Sequence, residues 1–485
     1  MLTGDPAYYK TIEGDMRSMV WFRRDLRVHD HPALVHGCQY GQEGTLAVYI
    51  IDRQMWQQND NSEIQIRFIL SGLPVLKESL KKIGVPLCVY SVQKTDAIPL
   101  LLQELAERHG ISRLFWNRED EANESQRDRA VMVHCDRHHL SYEVFCDQLI
   151  LDTAAVQTGS GGYFQIFTPF KRRWQTVYRA QSPRMLSVPK AFKPLKLSAE
   201  TEILPDAASL PHWPSGEKEA LRRLSHFCRE AVFKYDRLRD FPSQQGTSQL
   251  SPYLATGMLS PRTCFQTALR ANGDELDSGD KGALMFMSEL IWREFYRHIL
   301  VHVPRVSRGR PYRPETEKLV WSKNAACLQA WQQGRTGFPF VDAGMRQLNQ
   351  LGWMHNRLRM VTAMFLTKNL LQDWRLGEAY FAAHLVDFDF ASNNGGWQWS
   401  ASTGTDAVPW FRVFNPVLQG QRFDATGEFI RQYCPELSGF SDRDIHQPWH
   451  YQPKLAHQVG YPEPIVDIAA SRQRVLAAFG GLKGV

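Results

Sequence analysis

None of the eight cysteines is paired with another in a Cys-x-x-Cys motif. They are scattered through the chain, which fits a reducing compartment rather than a disulfide framework. No run of 18 apolar residues occurs, so no membrane-spanning helix is expected. Residues 1–17 carry Asp5, Glu13 and Asp15 without an apolar stretch. They are expected to form a loose tail and not a secretory signal. No Gly-x-Gly-x-x-Gly follows the first strand-like run, and Gly159, Gly161 and Gly162 come too late and precede no clear helix. A standard dinucleotide cradle is therefore excluded. Internal repeats and low-complexity tracts are also lacking. His134, Cys135, His138 and His139, with Cys146 beyond, contain one histidine pair a helical turn apart. That spacing is better read as a helix end bearing polar histidines than as zinc ligands, and no metal is expected.

What is present is an ordinary soluble composition in 485 residues, 43% hydrophobic and 22% charged. That length allows two to four domains. The net charge of +6 is a mild basic bias, compatible with a polyanionic partner. Tryptophan is plentiful: there are 14, mostly in the second half and several beside arginines. From 18 to 145, short apolar runs at Met19–Phe22, Leu46–Ile51, Leu87–Tyr90 and Leu114–Trp116 alternate with helical periods near Ile64–Lys82, Ile98–His109 and Glu124–His138. The alternation predicts a parallel sheet covered by helices. Residues 146–215, rich in proline, glycine and serine, read as a long interdomain connection partly packed on the surface. From 216 to 485 the pattern is helical, with Leu348, Leu351, Leu358, Met364, Phe365 and Leu366 at helix-like spacing.

Four segments concentrate chemistry. Thr247, Ser248 and Ser251 precede a predicted helix, where hydroxyls and free N–H groups serve either an anion or a simple N-cap. In Trp353–Met360, Asn356 and Met360 share a helix face, while Arg357 and Arg359 point elsewhere, one toward a phosphate and the other toward an acid. Asp387–Trp399 crowds two acids, two amides, two glycines and two tryptophans, a set suited to gripping the edge of a flat ligand. Glu289, Trp292 and Arg293 lie along one helix edge, where an acid beside an indole can hold a stacked base.

Together with Val20-Trp-Phe-Arg-Arg-Asp-Leu-Arg-Val-His-Asp at the first strand and Phe167-Thr-Pro-Phe in the connection, these segments closely resemble the photolyase–cryptochrome family, in order, from about residue 19 to 470. The resemblance implies a five-stranded, Rossmann-like α/β domain, a long linker, and an all-helical domain holding a U-shaped FAD. It places Tyr235, Thr247, Ser248, Gln249, Leu250 and Ser251 around the FAD phosphates and ribose. Arg359 is expected to pair with Asp387 beside the flavin, with Phe388 and Asp389 at the same site and Asn393 at the central ring nitrogen. A neutral asparagine there fits an enzyme working from the fully reduced anion. The implied reaction is light-driven electron transfer to a pyrimidine dimer flipped out of DNA, after which the electron returns; photolyases are among the known examples of such base flipping. Trp292 and Trp399 match the stacking tryptophans, Glu289 the acid on the thymine edge, and Asn356 and Met360 the remaining pocket positions. Arg239, Arg293, Arg357, Arg412 and Gln419 fall where the family touches DNA. Trp397, Trp374 and Trp321 match an electron relay to photoexcited oxidised flavin.

The two histidines of the (6-4) branch are replaced by Asn356 and Met360, which points to the class I branch acting on cyclobutane dimers. Asn123, Glu124 and Arg308 match an antenna site for methenyltetrahydrofolate, although Asn59 stands where a histidine is expected, and a deazaflavin is the alternative. The implied partner is UV-damaged DNA, with no membrane and no protein partner, for a bacterial cytoplasmic monomer. A cryptochrome photoreceptor is the rival within the family. A generic flavin oxidoreductase would need a nicotinamide fingerprint, which is missing.

Overall fold

The computed structural model describes residues 16–195 and 208–482. The expected N-terminal tail falls outside the described residues except at its end, where Arg17 already opens the first strand. Part of the expected connection, residues 196–207, also lies outside them.

Five strands, β1 (Arg17–Phe22), β2 (Gly44–Asp52), β3 (Leu87–Val92), β4 (Arg113–Asn117) and β5 (Ser141–Phe145), pair in the order β3-β2-β1-β4-β5, all parallel. Helices Pro32–Tyr40, Glu63–Lys82, Ile98–His109 and Ala122–Arg137 supply crossovers. All nine residues of β2 are buried, as a central strand covered on both faces requires. The order reverses between β1 and β4, so the loops leaving these two strands diverge and open a crevice at the carboxyl edge.

Side-chain alternation sends the two faces of the sheet into different interiors. Met19, Trp21, Leu46 and Val48 pack in one cluster confined to the α/β half. Val20, Phe22 and Ala47 join another that runs on into Trp174, Phe227, Phe265 and Phe295. The sheet and the first helices of the second half thus share one core. A further cluster around Trp331, Phe338, Trp374, Trp397 and Phe429 forms the far side of the helical half.

The connection is not the aperiodic segment the sequence reading expected. It contains the helix Phe167–Gln181, which buries Phe167, Phe170, Trp174, Val177 and Tyr178. Their spacing of three and four is a helical stripe, hidden among flanking prolines and glycines. This helix packs into the shared core.

A buried ionic knot reinforces the junction. Asp147, just past β5, is 2% exposed. It accepts from Arg27, and from Arg262 at 2.7 Å. Arg262 also meets Asp30 at 2.9 Å. Burial alone would raise the Asp147 carboxyl, but Arg27 and Arg262 outweigh it and hold the group below the usual carboxylate range. Asp147→Ala leaves two buried guanidiniums short of counter-charge and should cost about 3–5 kcal/mol of unfolding free energy, measured by urea denaturation at pH 7. Because the folded-state pKa is depressed, the difference from the parent should persist at neutral pH and shrink only as pH falls below the ordinary carboxylate range.

Candidate functional site

Three helices and the approach to one of them supply most of the wall of a cavity of about 370 Å³, completed by Arg239 and by Phe381 of the helix Trp374–Ala382. The helix Lys281–His302 contributes Glu289, Trp292, Arg293 and Tyr296, spaced three and four apart so that one edge faces the hollow. The helix Asn356–Met364 contributes Asn356, Arg359 and Met360. The helix Phe390–Ala401 contributes Asn393, Gly396, Trp397 and Trp399, and its approach adds Asp387 and Asp389.

Most of the Asp387–Trp399 segment forms this last helix. Asp389 is its N-cap and accepts from Ser392 N at 3.0 Å. Its carboxylate also takes the Arg297 guanidinium. Burial opposes ionisation there, but Arg297 and Arg293 prevail and keep Asp389 well below the usual range. Arg359 binds Asp387 through Nη2 at 2.7 Å and donates Nε to Met354 O at 2.8 Å. Asn393 donates Nδ2 to Glu378 O at 3.0 Å. Among the described residues no donor reaches its Oδ1. A Cβ at Gly395 would stand 2.2 Å from the Tyr296 ring, whereas one at Gly396 would meet nothing within 4 Å. The first glycine admits a neighbouring helix, and the second leaves bare backbone on the cavity wall.

At the other end of the hollow, Glu289 is engaged by Arg239. Arg357 pairs with Asp240 at 2.7 Å, so both arginines of the Asn356–Met364 helix meet acids. Arg293 lines the cavity but aims its guanidinium inward, donating to Gln148 O at 2.6 Å. Burial and the adjacent Arg297 push it down to about 10.

Other expected residues lie apart from this wall. Tyr235 packs against Phe227 and Phe286 with the Arg239 guanidinium over its ring. Thr247 and Ser248 do not cap the next helix, which is only Ser251–Ala255 with Leu250 as N-cap and no side-chain cap bond. Gln249 adopts φ +50 and Ser251 accepts from Trp353 Nε1 at 3.4 Å. Phe388 turns away from the cavity into the crevice beside the sheet. Arg412 and Gln419 follow the Phe390–Ala401 helix and do not line the hollow. Trp397 reaches the cavity, while Trp374 is 1% exposed behind it. Trp321 borders the same apolar cluster and is half-buried. Gly377 permits this packing, since a Cβ there would lie 2.1 Å from Trp397 Cη2.

The crevice forms a second hollow of about 150 Å³, lined by Asn59, Glu121, Asn123, Glu124 and Phe388. Asn59 donates to Glu124 and accepts from Asn123, both at 2.7 Å. Burial, and then the charge of Glu121, push Glu124 up to about 7. Arg308 is exposed and does not line this hollow.

Comparison with known proteins decides the family. A model described as DNA photolyase matches residues 18–190, and one described as the FAD binding domain of DNA photolyase matches residues 286–481. The deoxyribodipyrimidine photo-lyase of Escherichia coli K12 is 42% identical, covering 95% of this chain and 98% of its own length. The chain belongs to the DNA photolyase family. Among solved relatives, a bacterial class III photolyase from Agrobacterium tumefaciens superposes with a TM-score of 0.82 at 32% identity, over 98% of this chain and 99% of that one. An archaeal photolyase from Sulfolobus tokodaii, solved with two FAD molecules, superposes with a TM-score of 0.78 at 29% identity, over 96% and 100%.

The cavity of this photolyase-family chain fits the FAD that the second family model implies. Its wall offers bare backbone at Gly396, an unsatisfied amide oxygen at Asn393, an indole at Trp397 and the Arg359–Asp387 pair. A flat, polar-edged ring system needs such a mixture of apolar faces and edge partners. Arg297, Tyr296 and Glu378 belong to the site although no motif marks them. Arg297 lies four residues beyond Arg293 on the same helix face, and Glu378 four beyond Trp374, so helical spacing from residues already chosen was the available signal.

The raised Glu124 has a pH consequence. The folded chain retains a proton there that the unfolded chain loses above about pH 4.5, so its contribution to stability falls as pH rises from about 4.5 to about 7 and then levels off. The unfolding free energy of Glu124→Gln should lack this decline, as chemical denaturation across that window would read directly.

Proposed function

We propose that this chain is a deoxyribodipyrimidine photo-lyase, which uses blue light and reduced FAD to split cyclobutane pyrimidine dimers in DNA. The observation that carries the reading is a single hollow whose wall includes both the Asp387–Asn393 region and Glu289, Trp292 and Trp399. When bound, reduced FAD supplies the light absorption and the one-electron chemistry, with no net redox change over the cycle.

The protein's own residues do the rest. Arg359–Asp387, Asp389 and Asn393 hold the flavin edge. Asn393 is neutral, and its amide is committed to Glu378 O, so it presents an oxygen without imposing a charge. Trp292 and Trp399 offer apolar faces to the two bases of an extruded dimer. Glu289 presents carboxylate oxygens to the base edge, kept in place by Arg239, and Asn356 and Met360 complete the contact. Enclosure by indoles excludes water and strengthens each hydrogen bond to the lesion. Arg412 and Gln419, on the segment beyond, serve the flanking DNA backbone, as do Arg239 and Arg357. Thr247, Ser248, Gln249 and Ser251, with Tyr235 and Leu250 behind them, serve the phosphate and ribose part of FAD. Trp397, Trp374 and Trp321 form the route by which an oxidised flavin is photoreduced. The Asn59–Asn123–Glu124 hollow is the antenna site. Methenyltetrahydrofolate remains our assignment there, with a flavin-type antenna as the other outcome of an absorption spectrum of the purified protein. Action as a monomer, where the DNA is, remains our assignment.

Glu289→Ala should lower the yield of dimer repair under blue light by roughly fivefold, the equivalent of about 1 kcal/mol, while the flavin absorption stays at parent level. Unchanged repair would refute the pocket assignment. Trp321→Phe should slow photoreduction of the oxidised flavin and spare repair by chemically reduced enzyme. Loss of repair under reducing conditions would contradict the relay.

A further inference from the structure

The connection between the two halves reaches the lesion hollow. Phe167, the first residue of its helix, lays its ring over the Trp292 indole, with centroids 3.7 Å apart and planes 8° from parallel. Phe295 and Tyr296 meet the same indole at 5.6 and 5.7 Å. Trp292 lines the hollow and Phe167 does not. The benzene ring therefore covers one face of the indole and leaves the remaining surface to the hollow.

Phe167 is itself tied to the scaffold of the other stacking tryptophan. Its helix has no side-chain cap of its own. Instead the Phe167 N–H donates to Asp406 Oδ2 at 3.0 Å, and Thr405 Oγ1 donates to Gln165 O at 2.6 Å. Asp406 stands in left-handed backbone at φ +43, in the turn after the Phe390–Ala401 helix. From that turn Val408 N donates to Trp399 O at 3.3 Å. Farther along the connection's helix, Trp174 Nε1 donates at 2.8 Å to Glu294, which sits two residues after Trp292. One short stretch of connection thus touches the supports of both indoles.

We propose that Phe167 and Asp406 form a clip that holds Trp292 flat and sets its spacing from Trp399, making the interdomain connection a positioning element for lesion binding. The proposal rests on the lesion pocket assigned above. A half-buried indole with one free face has rotamers to lose when a ligand stacks on it. A partner already stacked on the opposite face removes those rotamers beforehand, so the dimer meets a preformed surface. Stacking is also sensitive to ring offset and tilt, and two covalently joined bases tolerate little error at either end. If only a flipped-out dimer enters the hollow, undamaged DNA meets the protein through its backbone, and the clip should act on dimer binding alone.

The test uses the FAD-loaded enzyme in darkness with two matched duplexes, one containing a single thymine dimer. Phe167→Leu should weaken binding of the dimer duplex by roughly two- to tenfold. Affinity for the undamaged duplex and the flavin spectrum should stay unchanged. Phe167→Tyr, which keeps the flat ring, should restore parent affinity. Asp406→Ala should behave as Phe167→Leu, and Asp406→Asn, which keeps an acceptor oxygen, should lie near the parent. Equal dimer affinity in Phe167→Leu and parent overturns the clip, as does an equal loss on both duplexes or a failed rescue by tyrosine. A parent that does not distinguish the two duplexes would instead sink the lesion-pocket reading, and the clip with it.

Discussion

One buried cation organises the site. Arg297 is 1% exposed and is surrounded by three separate parts of the chain. It binds Asp389 at the start of the cavity helix and the Gln148 side chain just past β5, and it lies 3.8 Å from Glu121 beyond β4. A guanidinium removed from water is tolerated only with such partners in place. Satisfying this one group therefore brings together the carboxyl edge of the sheet, the first residues of the connection and the helix that carries Asn393, Trp397 and Trp399. The cavity wall inherits its geometry from that requirement. Asp389 serves two structural purposes at once, since the same carboxylate caps the helix and neutralises the arginine.

Helical spacing made much of this legible from sequence. Glu289, Trp292 and Arg293, and likewise Asn356 and Met360, were expected on shared faces and do line one hollow. The pairing of Arg359 with Asp387 came from family resemblance, because nothing local in the chain links positions 28 apart. The illegible parts have physical reasons. Glycine and asparagine give Asp389 through Trp399 a low intrinsic helix propensity, yet a capping carboxylate and tertiary packing make it a helix. Thr247 and Ser248 read as either an anion site or caps, but the helix that follows is a short turn starting at Ser251, and their hydroxyls do not cap it. Proline-rich flanks concealed the helix of the connection. No sequence pattern distinguishes an arginine that faces solvent from one such as Arg293 that turns inward to a backbone carbonyl.

The tryptophans show why composition alone is a weak guide. Trp174, Trp331 and Trp374 are each buried to within 1% of full coverage, as packing alone would demand of large rings. Trp331 stands 6.0 Å from Trp397 and belongs to the same apolar cluster, although no motif marked it. What separates Trp292, Trp397 and Trp399 from these is partial access to a hollow, a property of three-dimensional arrangement. Gly377 is the counterpart of that arrangement. Its missing side chain lets Trp397 press against the neighbouring helix backbone, and a larger residue there would displace the indole.

The apolar interior that runs without a break from β1 through Phe170 and Trp174 to Phe295 has a consequence for optics. Well-packed interiors resist compression and transmit displacement as solids do. The crevice beside the sheet and the deeper hollow among the helices are thus mounted on a common rigid bench. Chromophores seated in the two would keep a constant separation and mutual tilt through thermal motion, so excitation passing between them would depend on the fold's dimensions and hardly at all on its fluctuations.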